Sequence, residues 1–206
     1  MRVSWRIGMS AARRGAAAVA VAGAAAVLAW APPASAASAN AIVQTGVNYE
    51  IVAYQGSPTG SKCVDVPGGS TTPGQRLQVF HCHGFDRSGA PQLFFFVDMG
   101  GGYYQVQNLN SHLCFELPNS SGADGTEIEQ AGCVGWDSQQ WRIQVLYNGI
   151  GTGPVFGLVN KAFPSKCLTW QGGVTPADHD KLVMVECFLP ATQTDPGNPA
   201  QLWWLG

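Results

Sequence analysis

The chain has 206 residues, with 11 Lys and Arg against 13 Asp and Glu. Arg2, Arg6, Arg13 and Arg14 lie in the first 36 residues and no acidic residue does, so loss of that segment leaves seven basic against 13 acidic side chains, a net charge of −6. An acidic domain without a basic stripe argues against nucleic acid or an anionic membrane surface as a partner.

In chain order, residues 1–36 have the layout of a secretory signal peptide. The arginines precede an Ala/Val/Gly run over 15–30, then come Pro32 and Pro33, and Ala34-Ser35-Ala36 offers a small-residue cleavage site. Ala37-Ser38-Ala39 would serve nearly as well, and the Arg13-Arg14 pair hints at twin-arginine export, with general secretion as the expected route. The run is too short and too rich in Ala and Gly for a membrane span, which needs roughly 20 residues of higher hydropathy. The predicted organisation is a signal peptide over 1–36, a short tail over 37–46 and one domain over 47–206, secreted, extracellular and without membrane contact in its mature form. Such a domain is long enough for a single core.

Within the domain, short runs of β-branched and aromatic residues predict strands at 49–54, 77–81, 93–97, 103–107, 128–130, 141–146, 156–160 and 182–186. Pro67-Gly68-Gly69, Gly100-Gly101-Gly102 and Ser120-Ser121-Gly122 break any helix between them. No sustained helical period follows the signal peptide, so the domain reads as all-β, with about four strands per repeating unit.

The repeat is set by the cysteines. Cys63 and Cys82, Cys114 and Cys133, and Cys167 and Cys187 are separated by 19, 19 and 20 positions. Downstream of each pair stands a Gln, a spacer and an aromatic: Gln92-Leu93-Phe94, Gln139-Gln140-Trp141 and Gln201-Leu202-Trp203. Units of about fifty residues follow, at about 47–99, 100–150 and 151–206, and three copies without capping repeats suggest a closed threefold object. In an exported chain the repeat selects one pairing, with each unit closed by its own disulfide. Each such loop contributes on the order of 3 kcal/mol through the unfolded state. His81-Cys82-His83 puts three metal-ligand types together, but no Cys-x-x-Cys partner exists and adjacent side chains diverge on an extended segment. No metal or cofactor is expected.

These features carry a resemblance. Cys63-Val64-Asp65-Val66-Pro67-Gly68-Gly69 resembles the opening of a unit in the ricin B-type (R-type) lectins, including their secreted, bacterial-like carbohydrate-binding modules. The Gln-x-aromatic triplets resemble that family's Gln-x-Trp motif, and the cysteine pairs its bridges within repeats. The resemblance implies a β-trefoil, six strands in a short barrel capped by three hairpins about a pseudo-threefold axis, with carbohydrate binding and no catalysis. Gln92, Gln139 and Gln201 are then read as satisfying backbone groups, and Phe94, Trp141 and Trp203 as core, marks of the fold and not of a site.

Family sites place a carboxylate two residues after the first cysteine, an aromatic two before the second, and an Asn just before the motif Gln; a polar group just after the second cysteine assists. The first unit holds Asp65, Phe80 and Pro91 there, with His83 after Cys82. Pro91 has no amide to offer. An insertion within 84–90 either brings Asp86 or Arg87 over the site or blocks it, and His83 or Asp86 is the candidate for the Asn role. Asp65 has a rival reading as a turn cap, and alternation leaves the facing of Phe80 open. The second unit has Glu116, Ala131 and Ser138, with Trp136 as a ring from another direction, a weak second site. The third has Thr169, Val185 and Ala200, and is expected to be silent; Trp170 reads as a buried ring.

The functional expectation is a monomeric, secreted, non-catalytic lectin-like protein with one principal sugar site, its partner a glycan or polysaccharide of galactose or xylan type. The alternative is a protein-binding or protease-inhibitor trefoil that uses loops 84–90 or 192–198. An enzyme is the third class; no Gly-x-Ser-x-Gly elbow, His-Glu-x-x-His helix or phosphate loop is present.

Overall fold

The computed structural model describes residues 42–55, 60–84, 87–149, 153–192, 194–195 and 197–206; the signal-peptide reading over 1–36 lies outside them. Twelve strands are described: β1 (Tyr49–Ala53), β2 (Lys62–Asp65), β3 (Gln78–His81), β4 (Leu93–Asp98), β5 (Tyr103–Asn108), β6 (Cys114–Glu116), β7 (Glu129–Ala131), β8 (Trp141–Gly149), β9 (Gly153–Asn160), β10 (Lys166–Trp170), β11 (Leu182–Glu186) and β12 (Trp203–Leu205). Between them are short 3-10 turns, and no α-helix occurs among the described residues.

Six strands close a barrel. β1 pairs with β4, β4 with β5, β5 with β8, β8 with β9, β9 with β12, and β12 with β1, all antiparallel. Closure removes the edges that an open sheet would expose. The other six form three hairpins, β2–β3, β6–β7 and β10–β11. These meet about a pseudo-threefold axis. Leu77 N–H donates to the Ile128 carbonyl at 2.9 Å, Ile128 N–H to Leu182 at 2.8 Å, and Leu182 N–H back to Leu77 at 3.2 Å. All three side chains are fully buried. The fold is the expected β-trefoil.

Disulfides join Cys63 to Cys82, Cys114 to Cys133 and Cys167 to Cys187, one in each hairpin unit. Phe94, Trp141 and Trp203 sit at 0% exposure at the starts of β4, β8 and β12. Edge-to-face contacts link Phe94 to Phe115 (5.2 Å between centroids), Phe115 to Trp141 (6.4 Å) and Trp203 to Trp170 (5.2 Å). Val43, inside the predicted tail, is buried in the same core.

The sequence reading missed β2, β6, β10 and β12. Each is three to five residues long, and the first three end against the turn that follows. β2, β6 and β10 are paired with the returning strand of their hairpin and β12 with β1 and β9, which is information held more than ten residues away.

Candidate functional site

The three motif glutamines share one geometry. Gln92 Nε2 donates to the His81 carbonyl at 3.0 Å, and its Oε1 accepts from His83 N–H at 2.8 Å. Gln139 does the same with Gly132 (2.7 Å) and Val134 (2.9 Å), and Gln201 with Glu186 and Phe188 (both 2.8 Å). Each amide therefore brackets the second cysteine of its repeat and ties the strand end to the 3-10 turn that carries the motif. All three glutamines are buried, where only a paired amide is tolerated. Each also reaches the residue two after the first cysteine: Gln92 to Asp65 Oδ1 (3.2 Å), Gln201 to Thr169 Oγ1 (3.1 Å), and Gln139 to Glu116.

Hairpin register completes the first site. Cys63 faces Phe80 and Asp65 faces Gln78 across β2–β3. Gln78 Nε2 donates to Asp65 Oδ2 at 2.7 Å, so two glutamine amides hold the two carboxylate oxygens from either side. A carboxylate offers about four lone-pair directions, which leaves acceptors for a ligand. The turn after Asp65 has no side-chain cap, so the turn-cap reading of Asp65 does not describe its bonding. Asp65 is only 4% exposed, and burial pushes its carboxyl above the usual aspartate range, against the bonds from Gln78 and Gln92.

Asp65, Gln78, Phe80, His83, Pro91 and His179 line a cavity of about 480 Å³, floored by the Pro67–Gly69 turn. Val79 is wholly buried and Phe80 half-buried, so the alternation that was ambiguous in sequence resolves with Phe80 on the cavity side. Three histidine rings surround it, at centroid distances of 4.1 Å (His81), 5.8 Å (His83) and 5.0 Å (His179). Lys62 and His81 both bond Asp178, at 2.8 and 3.4 Å, and His83 Nε2 lies 3.2 Å from His81 Nε2. An acceptor-only carboxylate requires the proton of neutral His81 on Nδ1, so His81 Nε2 accepts and His83 Nε2 donates. Asp86 lies outside the described residues. Pro91 sits in the inserted 3-10 turn Arg87–Gln92, held in place where Asn108 Nδ2 donates to the Ala90, Pro91 and Leu93 carbonyls.

The second cavity, about 390 Å³, is lined by Glu116, Asn119, Ser120, Glu129, Ala131 and Trp136, with Val134 and Gln139. Glu116 faces Glu129 where Asp65 faces Gln78, and Glu129 lines the cavity while ion-paired with Arg76 at 2.8 Å. Glu116 Oε1 accepts from Ser138 Oγ at 2.9 Å, while its Oε2 is buried without a partner among the described residues. Burial raises its carboxyl above the usual glutamate range, against the Ser138 and Gln139 bonds. Trp136 is 64% exposed at the rim. In the third repeat the Thr169 hydroxyl donates to the Cys167 carbonyl and accepts from Gln201, and Trp170 is buried with its Nε1 on the Gly173 carbonyl.

Sequence reasoning missed Gln78, Asn119, Ser120 and His179. Gln78 was recoverable from the hairpin register once Cys63 and Phe80 were paired. His179 comes from the third repeat, and its signal is an alignment: Gly74, Gly125 and His179 each stand eight positions before a second cysteine. Glu50, Cys63 and Cys82 place three metal-ligand atoms within 4.8 Å, but both sulfurs are committed to a disulfide and are not available as thiolates.

The model of the ricin-type β-trefoil lectin domain-like family matches residues 45–131 and 90–185. The chain belongs to that family. Membership of this lectin-like family supports carbohydrate binding in general. Among solved structures the chain is similar to ThreeFoil, a designed threefold-symmetric protein, at 26% identity and TM-score 0.60 over 77% of this chain and 96% of that one. It is also similar to an exo-β-1,3-galactanase from Clostridium thermocellum (21%, 0.60), over 79% of this chain and 30% of the enzyme. A third is the ricin B-like lectin of Macrolepiota procera in complex with lactose (15%, 0.55), over 79% and 96%. At these identities the last two attest the fold alone. No curated protein matches the chain.

Proposed function

We propose that this protein is a secreted, non-catalytic lectin whose principal sugar site is the first-repeat cavity. The observation that carries the reading is the convergence of a doubly oriented carboxylate, Asp65, with the Phe80 ring and His83 around one open cavity. A pyranose presents an apolar C–H face to an aromatic ring and vicinal hydroxyls to a carboxylate, while an imidazole donates to or accepts from a further oxygen. Galactose-type sugars, or the xylose units of plant polysaccharides, meet that requirement. His83 stands on the side of the missing amide at Pro91; with its Nε2 proton on His81 it offers an acceptor at Nδ1 and no donor. The buried Glu116 and the Trp136 ring form a weaker second site with Ser138 behind the carboxylate, and the third repeat binds no sugar.

Three disulfides suit an oxidising, extracellular setting. Among the described residues Asp65 is the only carboxylate lining the first cavity, and in the second Glu129, opposite Glu116, is ion-paired with Arg76 at 2.8 Å, so neither cavity presents the free acid and base pair of a glycoside hydrolase. A single shallow site of this kind gives about −4 to −6 kcal/mol, a Kd from millimolar to tens of micromolar. The test is a glycan array that includes plant polysaccharides, read with the mature oxidised protein and its Asp65→Ala variant. Binding lost in the variant supports the reading. Binding that survives it removes Asp65 from the site, and a sugar-independent protein partner with no glycan bound favours the inhibitor-type trefoil.

A further inference from the structure

The hairpin loops of the three repeats are docked in a cycle. Each loop lies across the next repeat: Gly74 N–H donates to the Gln130 carbonyl at 2.7 Å, Gly125 N–H to Met184 at 2.8 Å, and His179 N–H to Val79 at 2.9 Å. These three residues occupy the same place in their hairpins. Their φ angles are +85°, +83° and +71°, a left-handed conformation that glycine adopts freely and a side chain resists. Two repeats use glycine there. The third keeps a histidine, whose side chain is the extra element.

That side chain makes specific contacts. His179 Nδ1 lies 3.1 Å from Gln78 Oε1, and the ring sits 5.0 Å from Phe80. Gln78 in turn donates to Asp65 at 2.7 Å. Because Gln78 turns its NH2 group to the carboxylate, its acceptor oxygen faces His179, which sets the proton of the neutral imidazole on Nδ1 and leaves Nε2 as an acceptor. The loop that presents the ring is itself anchored. Val79 N–H donates to the Asp180 carbonyl at 2.8 Å, Lys62 pairs with Asp178 at 2.8 Å, and Asp180 Oδ2 accepts from Ala177 N–H at 2.8 Å.

We propose that His179 is a specificity-determining residue of the first-repeat sugar site, supplied across the repeat boundary by the hairpin of the third repeat. The inference rests on the sugar reading of that cavity. Through Gln78 the imidazole holds Asp65 in its acceptor orientation, and its ring packs against Phe80 and extends the apolar wall of the cavity. A sugar entering the cavity is thus gripped by two repeats, and the third, silent in its own right, completes the first. The strained backbone is retained because the side chain is used, a pattern typical of functional positions.

The experiment restores the glycine of the other two repeats. His179→Gly, His179→Asn and Asp65→Ala are compared with the unmodified protein by titration calorimetry, using the best glycan from the array, and by thermal melting. The expected result is a His179→Gly protein that melts at or above the unmodified temperature yet binds about tenfold more weakly. His179→Asn, which tolerates positive φ and keeps an amide donor, recovers part of the loss. Unchanged affinity in His179→Gly, while Asp65→Ala loses binding, overturns the proposal and leaves the sugar reading standing. Weaker binding accompanied by a clearly lower melting temperature also overturns it, since that is a structural role. Absence of glycan binding by the unmodified protein removes both.

Discussion

The first and second repeats are built on one frame and end in different cavities. Both place a carboxylate two residues after the first cysteine, both orient it with the motif glutamine, and both bury it. They differ in what stands opposite. The first has Phe80 on the strand, Gln78 across the hairpin and His179 over the rim; the second has Ala131, a Glu129 ion-paired with Arg76, and the loop-borne Trp136. The lesson is that the motif maintains a backbone bracket, and binding chemistry is added on three or four positions that the bracket leaves free. The third repeat has Thr169 and Val185 where the first has Asp65 and Phe80, and it closes the barrel all the same.

The strongest way to break the comparison is at the carboxylates. Asp65→Ala removes a charged acceptor of about 1.5–3 kcal/mol, roughly 10- to 150-fold in Kd, and drops a weak site below detection by calorimetry; Glu116→Ala is expected to leave that titration nearly unchanged. The shared frame predicts the opposite symmetry. Gln92→Ala and Gln139→Ala each strand buried backbone groups and are expected to cost about 1–3 kcal/mol of stability alike, measured by urea denaturation of the oxidised proteins.

Smaller changes sharpen the contrast. Phe80→Ala is expected to weaken glycan binding by about 0.5–1.5 kcal/mol beyond the loss of contact area, whereas Ala131→Phe gives the second cavity the strand-borne platform it lacks and raises the fitted stoichiometry toward two. Acidity separates binding from stability. The Asp65 carboxyl titrates above the usual aspartate range because it is buried, so glycan affinity begins to fall at a higher pH than an exposed aspartate would give. Stability responds with the other sign. A carboxyl whose pKa is raised on folding contributes stability that is full below its unfolded pKa and lost as pH rises through its folded value. Asp65→Asn turns an NH2 group toward one of the two glutamine amides that donate to the carboxylate, so it is expected to lose binding without gaining stability at neutral pH; on acidification the binding loss shrinks while the unmodified protein gains melting temperature relative to the variant.

The repeat length, the three disulfides and the all-β class were legible because they rest on local spacing, and the trefoil was what the family resemblance implied. Cysteines and Gln-x-aromatic triplets recur at fixed intervals, and each acts within its own fifty residues. Asp65, Phe80 and Glu116 were named through the family resemblance, with the facing of Phe80 left open, and the structure places them on two cavities. Gln78 and the strands β2, β6, β10 and β12 were harder, since a three- to five-residue strand is defined by its partner and not by its own pattern. His179 was the hardest: 114 positions separate it from Asp65, and nothing near either residue connects them.

What the sequence determined by itself is therefore the closed threefold frame, because covalent pairing and buried aromatics act through short-range register. What only the tertiary structure decided is which side chains share a cavity. Phe80 turns outward because Val79 fills the core, and the third hairpin crosses onto the first repeat because the Leu77, Ile128 and Leu182 hydrogen-bond ring packs all three hairpins around one axis. Hydrogen bonds and burial made across that axis have no counterpart in linear spacing.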